Sequence, residues 1–162
     1  MNLRNQGLSR IFSNMLLNTA YPLTPFQKQI FSVCYQYQDT CAYNIPAAIE
    51  IKGKISSKLL LQSLKHLQEW HPELRILIEE KEGAYVQSLQ KEIVVTEEKI
   101  DADLLEECLS QEAKRTLGCL ASALTRIVLW SVNESHYVIQ LTISHMIADR
   151  LSLSIIIKSF WK

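Results

Sequence analysis

Apolar residues fall along this chain in two rhythms, and each predicts its own kind of element. Near the N-terminus Leu8, Ile11, Phe12, Met15 and Leu16 recur at helical spacing, which predicts a short amphipathic helix. Thr24-Pro25 reads as a second helix start, with Phe26, Ile30, Phe31, Val33 and Cys34 behind it. After a polar break at Asp39–Asn44 the rhythm changes to two: Ile45, Ala47, Ile49 and Ile51 alternate along a strand closed by Lys52-Gly53-Lys54. Ser56 or Ser57 can cap a helix running to about Trp70, with Leu60, Leu64 and Leu67 on its inner stripe and Pro72 ending it. Strands are expected at Leu74–Ile78, Ala84–Leu89 and Ile93–Thr96, the first two joined by a charged turn at Glu80–Gly83. Asp101 or Asp103 opens the next helix, with Leu104, Leu105, Cys108 and Leu109 on its apolar face. Leu124–Val132 and His136–Ile143 flank the turn signal Asn133-Glu134-Ser135, and Leu151–Trp161 is a helix-like apolar tail. The order implies a mixed α/β fold, a sheet covered by helices.

At 162 residues the chain fits one domain. Lysine plus arginine and aspartate plus glutamate balance at 17 each, so no bulk charge draws it to nucleic acid or an anionic membrane. No apolar run approaches membrane-span length. Cys34, Cys41, Cys108 and Cys119 lie far apart without CxxC spacing, which favours reduced thiols in a cytoplasmic protein over zinc or disulfides. Residues 1–20 stand apart from 21–162, because no acidic residue precedes Asp39 and Arg4 and Arg10 accompany the first helix. A helix packed on the domain or a docking helix for a partner is favoured there over an organelle-targeting peptide.

The segment with most chemical content is Ser144–Ser152, SHMIADRLS, placed where a strand gives way to the last helix. A histidine at a strand end can reach a reacting group while the sheet holds it still. The segment resembles the HHxxxDGxS motif of condensation domains in nonribosomal peptide synthetases, of the chloramphenicol acetyltransferase-like superfamily. His145, Asp149 and Ser152 match, whereas Ser144 replaces the first histidine and Arg150 the glycine. Three further stretches carry the resemblance in the family's order. Thr24–Phe31 is similar to SxAQxRLW through Gln27, Trp70–Arg75 to RHExLR through His71, Leu74 and Arg75, and Leu124-Thr125-Arg126 to PLxR.

The resemblance implies an α/β, chloramphenicol acetyltransferase-like half-domain: the N-terminal lobe of a two-lobed enzyme whose tunnel runs between the lobes. The family continues into a second lobe after this point, which either belongs to a longer synthetase or comes from another polypeptide. The implied activity is amide-bond formation between carrier-protein-bound acyl and aminoacyl thioesters, with the lobe inactive alone. No cofactor or metal is expected on the lobe itself, since the substrates ride on phosphopantetheine of the carrier proteins. His145 would be the catalytic residue, accepting the amine proton or orienting the amine; apart from the motif, a buried histidine bonded to a carbonyl is the plainer reading. Asp149 would pair with Arg75 to fix the loop, would cap the last helix, or both. Ser144, Arg150 and Ser152 complete the loop's support, and Arg150 puts bulk and charge where the family has glycine. The rival reading is a degenerate lobe that binds a carrier protein or synthetase domain without catalysis. A homodimer mimicking the two lobes is a third. His66, His71 and His136 read as surface or capping residues.

Overall fold

The structure is a computed structural model, and it describes residues 19–161. The first amphipathic helix expected from the sequence falls on residues 1–18, outside the described part. Within it the chain runs β1 (Tyr21–Pro22), α1 (Pro25–Gln36), β2 (Asn44–Lys52), α2 (Ser57–Trp70), β3 (Ile76–Lys81), β4 (Ala84–Leu89), β5 (Val95–Lys99), α3 (Leu105–Lys114), β6 (Thr125–Asn133), β7 (His136–Ser144) and α4 (Arg150–Phe160). Short 3-10 turns at Pro72–Arg75 and Ala102–Leu104 lead into β3 and α3. The strands make a four-stranded sheet in the order β2-β7-β6-β5 and a three-stranded sheet in the order β1-β4-β3.

Alternation along β6 and β7 decides the packing of the larger sheet. Ile127, Leu129, Tyr137, Ile139, Leu141 and Ile143 belong to one buried cluster with Leu60, Leu64 and Leu67 of α2 and Leu153 and Ile156 of α4. The opposite face carries Gln140, whose amide donates to the Leu109 carbonyl of α3 at 2.8 Å and accepts from the Trp130 indole at 2.9 Å. Helices therefore lie on both faces, and β7 runs through the middle, buried from Tyr137 to Ser144. β5 pairs parallel with β6, so α3 lies in the crossover that such a pair needs.

The smaller sheet closes a second core of Leu23, Ile30, Phe31, Ile78, Leu124 and Met146. α1 begins with a reciprocal cap: the Thr24 hydroxyl accepts from the Gln27 amide at 3.2 Å, and the Gln27 side chain accepts from the Thr24 amide at 2.9 Å. Gln27 also donates to the Gln87 side chain at 2.9 Å, fastening the helix start to β4. β3 and β4 turn at Glu82-Gly83, both at positive φ (53° and 76°), the backbone that a two-residue primed turn demands.

Two strands differ from the sequence expectation. β3 starts at Ile76 rather than Leu74, because Pro72 opens a 3-10 turn that carries Leu74 and Arg75. β5 starts at Val95 rather than Ile93. The backbone of Ile93 is already paired: its N–H donates to the Gln68 side chain at 2.8 Å and its carbonyl accepts from that amide at 3.1 Å.

Candidate functional site

The end of β7 is held from both sides before the chain turns. The Ser144 amide donates to the Leu124 carbonyl at 2.8 Å, and the His145 amide donates to the Tyr43 carbonyl at 2.8 Å. Leu124 precedes β6 and Tyr43 precedes β2, the two strands flanking β7. The strand end thus sits in a clamp of main-chain bonds whose jaws belong to its own neighbours.

Beyond the clamp, side chains alternate between anchor and exposure. Met146 plugs the second core and Ala148 joins the first, while Ile147 packs against both. His145 and Asp149 point outward between these anchors and are exposed. The imidazole of His145 makes no hydrogen bond among the described residues and stands open to solvent, so the plainer reading of a buried, carbonyl-bonded histidine does not hold. Ser144 is buried, and its hydroxyl accepts from the Met146 amide at 3.2 Å, which shapes the turn. A hydroxyl so used builds the loop.

Asp149 caps α4. Its carboxylate accepts from the Ser152 amide and the Ser152 hydroxyl, each at 2.7 Å. These two bonds, the amide's first, hold its carboxyl below the ordinary aspartate range. Arg75 does not share it. The Arg75 guanidinium is buried beside the end of β4, donating to the Lys91 carbonyl at 2.9 Å and the Gln90 carbonyl at 3.3 Å. Burial lowers its pKa, and the charge opposing that shift belongs to Glu69. The expected Arg75–Asp149 ion pair is therefore corrected: the Gln90 and Lys91 carbonyls hold the arginine on its own corner, and the aspartate caps the helix start. Arg150 is exposed as the first residue of α4.

The other histidines and the remaining motif residues hold structure. His71 contacts the Glu73 carboxylate at 2.9 Å, His136 that of Glu50 at 2.9 Å, and His66 that of Glu69 at 3.3 Å. Leu124 is fully buried, and Arg126 binds the end of α3. Asn44 and Glu112 also converge there, two residues that no motif singles out.

A family model described as Condensation domain matches residues 17–162. Bacitracin synthase 2 of Bacillus licheniformis is 27% identical over 143 residues, which is 86% of this chain and 5% of that protein. Gramicidin S synthase 2 of Aneurinibacillus migulanus is 27% identical over 145 residues, 85% of this chain and 3% of that one. Among solved structures, the starter condensation domain of rhizomide synthetase RzmA superposes with a TM-score of 0.80 at 16% identity, over 88% of this chain and 38% of that one. A four-domain nonribosomal peptide synthetase bound to AMP and glycine gives 0.74 at 21%, over 88% and 12%. The superpositions establish the mixed α/β fold of condensation domains, of which the chain covers little more than a third of the matched solved domain.

Proposed function

The chain belongs to the condensation-domain family of nonribosomal peptide synthetases, and from that premise we propose that it is the first lobe of an amide-forming condensation domain. Condensation domains of these synthetases are amide-forming acyltransferases, and the chain spans 5% of a matched synthetase and 38% of a matched solved domain. A second lobe, in the same polypeptide or another, completes the tunnel. Donor and acceptor arrive as acyl and aminoacyl thioesters on phosphopantetheine arms of carrier proteins, in the cytoplasm, where the four free thiols stay reduced. The lobe needs no cofactor of its own.

The observation that carries this reading is the presentation of His145: an exposed, unbonded imidazole on a backbone clamped between two neighbouring strands. As the acceptor amine attacks the donor carbonyl it must shed a proton, and a neutral imidazole within hydrogen-bond reach accepts it or holds the amine in line. The thiolate of the donor pantetheine leaves with the electron pair of the broken C–S bond. Asp149, Ser152 and Ser144 maintain the loop without touching substrate.

Ser144 and Arg150 favour a second reading, a lobe that binds a carrier protein or synthetase domain without turnover. Ser144 lacks the imidazole that the family motif places there, and Arg150 stands exposed at the head of α4. An assay of product formation from two loaded carrier proteins, with the second lobe supplied, separates the two. The catalytic reading expects product from the wild type and an equal or faster rate from Arg150→Gly. No product from either, with carrier binding retained, establishes the binding module.

A further inference from the structure

The jaws that hold the histidine loop are themselves joined, and the joint is a single carbonyl at the end of α3. The Arg115 oxygen accepts from the Asn44 side-chain amide at 3.0 Å and from the Arg126 guanidinium at 2.8 Å. Asn44 is the first residue of β2 and follows Tyr43, one jaw. Arg126 lies near the start of β6, two residues past Leu124, the other jaw. Around this shared acceptor the contacts multiply. Asn44 also donates to the Ala113 carbonyl at 3.1 Å, and Arg126 to the Glu112 carbonyl at 3.0 Å and the Thr116 carbonyl at 3.2 Å. The Nε–H of the guanidinium bonds the Glu112 carboxylate, whose side chain is 10% exposed beside an arginine side chain at 16%.

The last carbonyls of any helix have no partner within it, and cationic or amide donors satisfy them. Here donors come from two strands that are not neighbours in the sheet, because β7 lies between them. A helix end bonded to both fixes the distance across β7 at the point where His145 emerges. We propose that Asn44, Arg126 and Glu112 are positioning residues for the histidine loop: through the end of α3 they set the spacing of the Tyr43 and Leu124 carbonyls, and so the placement of His145. The catalytic meaning of this role rests on the reading of His145 above, but its physical content does not need turnover.

Amide hydrogen exchange by NMR on the chain as it stands tests the proposal, comparing wild type, Asn44→Ala and Arg126→Lys. Asn44→Ala removes two donors without stranding a charge. Arg126→Lys keeps the pair with Glu112 and loses the fork that reaches several carbonyls. Both variants should speed exchange at the Ser144 and His145 amides about tenfold or more, while Leu129 and Ile139, deep in the same sheet, change less than about twofold. The ring resonances of His145 should move with them, and those of His66 and His136 should not. Uniform acceleration across the sheet would reduce the network to general stability and overturn the positioning role. Unchanged exchange at Ser144 and His145 in both variants would overturn it as well, leaving the function proposed for His145 to be judged by its own assay.

Discussion

The carboxylate of Asp149 has two donors of Ser152 at 2.7 Å, while Arg75 donates to the Gln90 and Lys91 carbonyls. Because the two motif residues sit on separate corners, Arg75→Ala and Asp149→Asn should change stability additively in a urea melt. A coupling well outside experimental error would restore the ion pair. The cap also sets a pH dependence. The folded-state pKa of Asp149 lies below its ordinary value of 3.8, so its contribution is complete above that value and is lost as pH falls through the lowered one. Asp149→Asn keeps a good capping residue but removes the titration, so its acid melting curve should be flatter than wild type below about pH 4, with little change near neutrality. Roles that are local were legible in the sequence: Asp149 caps the helix that begins at the next residue, and Thr24-Pro25 marks the start of α1. Those of Asn44, Gln68 and Glu112 were not, because their partners lie 14 to 71 positions away and only the fold brings them together.

Among the elements, the periodic ones were read closely. Helices α1, α2 and α4 and strands β2, β4, β6 and β7 begin and end within a residue or two of the expectation, since each buries one face and its apolar spacing records that face. Misplaced boundaries occur where a side chain far along the chain takes over the backbone, as Gln68 does at Ile93, or where a proline starts a turn inside an apolar run, as Pro72 does. The β3–β4 turn offers a direct check on local strain. Glu82 holds φ of 53°, a region that costs a residue with a Cβ and that asparagine tolerates best after glycine. Glu82→Asn, giving the favoured Asn-Gly pair of a primed turn, should raise stability by about 0.5–1 kcal/mol in a denaturant melt. No gain would mean that this turn carries no strain in solution.

For the molecule as a whole, what matters is the surface left around α4. Leu153 and Ile156 are buried under that helix, while Leu151 and Ile155 on its other side are 70% and 52% exposed, and Trp161 just beyond its end is 58% exposed. An exposed apolar stripe of this kind marks an interaction surface. If a second lobe normally covers it, the chain alone should self-associate with rising concentration in sedimentation, and Leu151→Glu with Ile155→Glu should return it to monomer. A wild type that stays monomeric throughout would argue against a missing lobe. The role of His145 is tested most directly by a single-turnover assay: the chain combined with its second lobe, a donor and an acceptor loaded on carrier proteins, and product read by mass. His145→Ala should slow amide formation by about a hundredfold or more while its melting temperature and carrier binding stay those of the wild type. A His145→Ala protein that forms product at the wild-type rate would contradict the account.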